Sequence, residues 1–121
     1  MESVDYNFRY ESFTRGSRQI IEINSEKTHI ESTAKQIDTV IFTPKEDWKN
    51  LVTEANKVDL SALKTLKAPS EKRMFDGAAT ATLLVTKAHK TYSSASFDHG
   101  NPPKEIADLI NTITALEEAV E

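Results

Sequence analysis

A chain of 121 residues with 15 basic and 19 acidic side chains, a net charge of −4 and no cysteine has material for one hydrophobic core and little for a second. Without cysteine, disulfides, thiolate nucleophiles, zinc–thiolate centres and iron–sulfur clusters are excluded for this chain. The acidic balance opposes non-specific attraction to nucleic acid or an anionic bilayer, and the densest basic stretch, Lys64, Lys67, Lys72 and Arg73, reads as a solvated connection.

Val4, Tyr6, Phe8 and Tyr10 alternate with Asp5, Asn7, Arg9 and Glu11, a period of two that predicts a strand with one buried face. Arg15-Gly16-Ser17 is a turn signal, and the run from Gln19 to Ile23 is expected to pair back on the first strand. After a second turn at Asn24-Ser25-Glu26-Lys27, the segments Thr28 to Ser32 and Gln36 to Phe42 complete an antiparallel meander. No apolar run approaches the ~20 residues of a membrane span. Residues 1–20 lack the apolar h-region of a signal peptide, so an export signal encoded by the gene is expected to be missing from this chain.

Thr43-Pro44-Lys45-Glu46 reads as a helix start, with threonine at the cap, proline at the first helical position and glutamate closing a capping box. Trp48, Leu51, Val52, Ala55 and Val58 follow at helical spacing and predict an amphipathic helix over 44–57. Residues 59–77 read as an irregular connection in which Leu60, Leu63 and Leu66 anchor a short helical turn, punctuated by Pro69 and Gly77. Ala78 to Lys87 and Lys90 to Phe97 are expected to form a hairpin turning near Ala88-His89. Ile106, Leu109, Ile110, Ile113 and Leu116 predict a closing helix over 103–118. The order ββββ-α-ββ-α predicts a single α+β domain over residues 1–121, with one antiparallel sheet of about five to six strands and both helices on one face.

Chemistry concentrates in the corner Phe97-Asp98-His99-Gly100-Asn101-Pro102-Pro103. The order Ser70, Asp76, His99 matches one order found in hydrolase triads, and His99 with Asp76 or Asp98 offers a base and an orienter. No nucleophile elbow surrounds Ser70, however, and no glycine-rich oxyanion loop is present. His99, Asp98 and Asp76 also have the ligand chemistry of a zinc or iron site. His29 and His89 add no metal-ligand spacing to them, so no metal or other cofactor is expected. An anion site at the last helix's start is disfavoured because Pro102 and Pro103 have no N–H to offer. The plainer reading has Asp98 and Asn101 satisfying backbone groups in a tight corner where Gly100 supplies a positive φ. Tyr6, Phe8, Tyr10 and Trp48 read as core, whereas the hydroxyl of Tyr92 needs water or a partner if its ring is buried.

Trp48, Asp59-Leu60, Leu66 to Arg73, Asp76-Gly77-Ala78-Ala79, Tyr92-Ser93-Ser94 and Phe97-Asp98-His99-Gly100 with Pro102-Pro103 together resemble a small family of uncharacterised bacterial domains, many of them predicted lipoproteins, found in flavobacteria and their relatives. The resemblance spans residues 48–110. It implies an exported cell-envelope protein of unknown activity, with a lipid anchor on the full-length gene product, although the lipid-bearing cysteine is absent from this chain. The expected function is a non-enzymatic binding domain that takes a partner protein or a small ligand through the loops around 69–77 and 97–101, with Arg73, Asp76, Tyr92, Asp98 and His99 on its surface. The alternatives are a small hydrolase built on His99 with Asp76 or Asp98, and a purely structural domain in which Asp76 and Asp98 lock loops.

Overall fold

Four strands open the chain, β1 (Tyr6–Thr14), β2 (Ser17–Ile23), β3 (Lys27–Ser32) and β4 (Ile37–Phe42), with the alternation of buried and more exposed side chains clearest in β1 and β3. They appear in a computed structural model that describes residues 6–75 and 77–120. Val4 and Asp5, assigned to the first strand by pattern, and Asp76 lie outside the described residues. Each strand pairs antiparallel with the one before it. Gly16 turns the first hairpin at φ 78°, a conformation that costs glycine nothing sterically. The second turn is closed by the Asn24 side chain, whose Oδ1 accepts the N–H groups of Glu26 and Lys27, both at 2.8 Å.

Helix α1 (Lys45–Ala55) follows, but its start differs from the expected capping box. Pro44 occupies the cap position, so Glu46 sits one residue too early to reach back, and no side chain caps the helix. Thr43 is the reason. Its N–H still belongs to the β-ladder, donating to Glu26 at 2.9 Å, and its buried hydroxyl is satisfied there by Thr28 Oγ1 and by the Asn24 carbonyl, both at 2.9 Å. A buried hydroxyl must be bonded where it lies, and this one lies in the sheet. The connection after α1 contains two 3₁₀ turns, Leu60–Thr65 and Lys72–Phe75. The first is capped by Asp59, which accepts from Ser61, and it plugs Leu63 into the core.

Strand β5 (Thr80–Lys87) then pairs along its whole length with β1, from Tyr6↔Lys87 to Phe13↔Thr80. This pairing across the chain completes the order β4-β3-β2-β1-β5-β6. The segment expected as one strand from Lys90 to Phe97 is two, β6 (Lys90–Ser93) and β7 (Phe97–Asp98), both paired with β5. Ser94 explains the break, because it takes Leu83 for itself. Its N–H donates to the Leu83 carbonyl at 2.8 Å and its Oγ accepts the Leu83 N–H at 3.0 Å. The chain leaves the ladder there and rejoins it at Ala81 and Thr80. At the far end, Pro103 is the cap of a 3₁₀ turn (Lys104–Ile106), not a first helical residue, and helix α2 (Ala107–Val120) runs on from that turn.

The two helices cover one face of the antiparallel sheet. Phe8, Tyr10, Ile21, Ile23, Ile30, Leu83 and Val85 supply the sheet side of the core, and Leu51, Leu109 and Ile113 the helix side. The ring of Trp48 meets Phe8 edge-on at 5.7 Å, as the core reading of the aromatics required. The opposite face of the sheet carries charge. Arg9 binds Glu11 through Nε at 2.6 Å and also Glu22, while His29 binds Asp38 at 2.7 Å. The pKa of His29 is raised, first by that Asp38 bond and then, against some burial, by the charges of Asp38, Glu22 and Glu31.

The β5–β6 hairpin turns through Ala88 at φ 52° and His89 at φ 69°, the pair of positive angles that the right-handed twist of a two-residue hairpin demands. An L-residue there carries strain of about 1–2 kcal/mol. Ala88→Gly relieves the strain while loosening the unfolded chain by a smaller amount. Urea unfolding should therefore show a net gain of about 0.5 kcal/mol, and a loss would contradict the assigned turn.

Candidate functional site

The corner at 97–101 is held from both sides, and its two titratable residues, Asp98 and His99, face different neighbours. Phe97 is fully buried and fixes the backbone against the core. The next residue, Asp98, is only 1% exposed, and its carboxylate receives four hydrogen bonds from the 70–73 loop. Ser70 Oγ donates to it, as do the N–H groups of Lys72 at 2.9 Å and Arg73 at 3.0 Å and the Arg73 guanidinium at 3.0 Å. Arg73 Nη1 also bonds the Ser70 carbonyl at 2.9 Å, and Asn101 Nδ2 donates to Ser70 Oγ at 2.8 Å. A carboxylate from far along the chain thus does for the Lys72–Phe75 turn what a local cap residue does for most helices. Of the expectation that Asp98 and Asn101 satisfy backbone groups in their own corner, the Asp98 half holds with one difference, that the groups belong to the 70–73 loop, whereas the Asn101 amide bonds the Ser70 hydroxyl.

Burial raises the pKa of Asp98, but the bonds from Ser70, from the backbone of Arg73 and Lys72 and from the Arg73 side chain outweigh it. The group is held well below the ordinary carboxylate range. It is charged at every physiological pH, and its acceptor positions are filled. A carboxylate in that state is a poor proton carrier and a good lock.

His99 and Gly100 turn the chain away from the lock. The His99 N–H closes the corner on the Ala79 carbonyl at 2.9 Å, Asn101 N–H donates to the Asp98 carbonyl at 2.9 Å, and Gly100 takes φ 91°. The His99 ring meets the sheet instead, with Nδ1 at 2.7 Å from the hydroxyl of the buried Tyr10. Burial pushes the pKa of Tyr10 up, with help from the nearby Glu117 charge, so the phenol keeps its proton. Desolvation of the His99 ring, and then the charge of Lys35, push the imidazole pKa down. In the tautomer where Tyr10 donates to Nδ1, the histidine proton sits on Nε2. That leaves a neutral imidazole whose basic nitrogen is already occupied.

Tyr10 and His99 line a cleft of about 490 Å³ with Gln19, Lys35, Asn111 and Glu117. Glu117 is buried on α2, accepting from Gln19 Nε2 and lying 3.7 Å from Lys35 Nζ. Tyr92 is elsewhere. Half-buried under Lys90, whose Nζ stands 5.3 Å from the ring centre, it lines a separate cleft with Leu60 and Ser61.

The residues singled out by sequence therefore divide. Ser70, Arg73 and Asp98 come together in the lock. His99 joins Tyr10 at a different cleft, Tyr92 belongs to a third place, and Asp76 lies outside the described residues. Ser70 is bonded to Asp98 and Asn101, and His99 to Tyr10, so the described members of the triad order use their polar atoms on other partners. Among the described residues, no group of three or more His, Asp or Glu side chains is placed to hold a metal ion. Sequence reading missed two features. One is the Tyr10–His99 pair, for which alternation marked Tyr10 only as core. The other is the exposed pair Met74 and Phe75, 67% and 81% accessible, which an apolar dipeptide amid charged residues could have signalled. Comparison with family models, with curated proteins and with solved structures returns no match.

The depressed pKa of Asp98 fixes a direction for acid unfolding. Its stabilisation is fully present above the unfolded carboxylate value of about 4 and is lost as pH falls through the lower folded value. Asp98→Asn should lower the melting temperature at pH 7 and flatten the decline in stability between about pH 5 and 2. An unchanged acid slope in the variant would show that the lock carries no linkage.

Proposed function

We propose that this chain is a non-enzymatic binding domain that presents the locked 70–75 loop to an apolar recess on a partner protein. The carrying observation is the contrast between the two ends of that loop. Ser70 and Arg73 are bonded to a buried carboxylate, while Met74 and Phe75 stand exposed immediately beyond them. Displaying a phenylalanine to water is unfavourable, and a rigidly held apolar pair is characteristic of interaction sites. A loop already ordered in the free protein loses little entropy on docking. Gly77 supports the same geometry. Its N–H bonds the Lys72 carbonyl at 2.8 Å, and a Cβ there would come within 3.2 Å of that oxygen.

Binding is favoured over hydrolysis because Asp98 is held charged and saturated and His99 is bonded to a phenol, which spends the acid–base groups on structure. The purely structural reading accounts for the lock but leaves Met74 and Phe75 without a reason. A cell-envelope location is part of the proposal and rests on the resemblance of residues 48–110 alone. Recovery of the native protein in the cytoplasmic fraction would overturn it.

A photo-crosslinking amino acid in place of Phe75 should yield one discrete adduct in native cells, weakened by Met74→Ser. The same probe in place of the exposed Glu46 on α1 should not. Equal adducts from both positions, or none from position 75, would overturn the binding surface.

A further inference from the structure

The two edges of the sheet are finished differently. At one edge β6 is four residues long, begins with Lys90 opposite Lys87 of β5, and packs beside the Leu60–Thr65 turn. Short strands, lysines and covering elements are the usual means by which a sheet avoids unwanted pairing. At the other edge β4 runs six residues, Ile37–Phe42, without proline, glycine or lysine. Its one charged side chain, Asp38, is already bonded to His29. Among the described residues nothing pairs with the outer side of β4.

The ladder shows which main-chain groups face outward there. Thr43 N–H donates to the Glu26 carbonyl, and Thr43 and Glu26 continue the register Phe42↔Lys27 and Ile41↔Thr28. In an antiparallel pair, bonded and non-bonded positions alternate. Ile37, Thr39 and Ile41 therefore spend their N–H and C=O groups on β3, and Asp38, Val40 and Phe42 turn theirs away from the sheet. On those same outward positions stand Val40 and Phe42, 56% and 83% exposed, both on the face away from the helices.

We propose that β4 is a self-pairing edge: two copies of this chain join antiparallel through it about a two-fold axis at Val40, making one continuous sheet. The occupant is a second copy because the strand is complementary to itself in that register. Val40 falls opposite the partner's Val40, and Asp38 opposite the partner's Phe42. All three outward-facing positions then meet outward-facing positions, giving about six main-chain hydrogen bonds. On the open face the exposed valines become cross-strand neighbours, with each Phe42 diagonal to the opposing Val40. On the helix face Thr39 falls opposite the partner's Ile41, so both layers of the fold continue across the axis. A two-fold contact of this kind closes on itself and does not propagate, because the other edge is guarded. One strand pair is a small interface, so the dimer is expected to be weak and concentration-dependent.

The chain has no cysteine, which makes the test clean. Sedimentation velocity on the wild-type protein should show the average mass rising toward twice the monomer between about 10 µM and 1 mM. Val40→Lys, which sets two ammonium groups opposite each other on an exposed position, should remain monomeric over the same range with unchanged circular dichroism. Under mild oxidation Val40→Cys should form a disulfide dimer at least tenfold faster than Thr91→Cys on the guarded edge. A wild-type chain that stays monomeric throughout, or equal crosslinking from positions 40 and 91, would overturn the proposal. So would finding the β4 edge of the native protein occupied by a strand of a different protein.

Discussion

The display of the 70–75 loop hangs on one buried charge. Asp98 cannot lie at 1% exposure without partners, because an unpaired carboxylate in that position would be strongly destabilising. Its partners all come from one loop, and they include two backbone N–H groups. The requirement to satisfy the carboxylate therefore becomes a requirement on main-chain geometry. It orders the 3₁₀ turn at Lys72–Phe75 and sets where Met74 and Phe75 emerge.

The lock in turn depends on the sheet. Asp98 reaches the loop only because β7 is paired with the first residues of β5, through Thr80↔Asp98 and Ala81↔Phe97. Phe97, wholly buried beside it, keeps that short strand from fraying. β5 is itself positioned by its pairing with β1 across most of the chain's length. The connection that carries α1 and the two 3₁₀ turns runs from β4 at the sheet's edge to β5, past β3, β2 and β1, so the loop that bears the exposed apolar pair belongs to a long crossover that ends where β5 begins. Loops fastened in this way to a rigid scaffold are where binding residues concentrate.

Polar groups elsewhere obey the same rule of local satisfaction, and in two places that rule moves an element boundary. Thr43 has the identity of a helix cap, yet its hydroxyl is spent on Thr28 and Asn24 inside the sheet. Ser94 sits in a run of strand-like residues, yet its hydroxyl takes the Leu83 N–H and ends the strand. Both are short hydroxyl side chains able to bond either to their own neighbourhood or to a remote backbone. Which they choose depends on what the fold brings alongside.

By itself the sequence determined the class of fold, the side of the first strand that faces the core and the helical faces that cover it. Period-two and helical spacings of apolar residues are local, and burial rewards them wherever the chain is. It also marked Asp98, His99, Ser70 and Arg73 as unusual, because such residues cluster beside glycine and proline in corners. What it could not determine was their pairing. Whether Asp98 faces Ser70 or His99, and whether Tyr10 is only core or also the hydrogen-bond partner of an imidazole, are matters of separations of a few ångströms between residues far apart in the chain. The same holds for the edges of the sheet. That β4 is outermost and β1 central follows from β5 pairing with β1, a long-range choice with no local signature, and only that choice leaves Val40 and Phe42 at an unpaired edge.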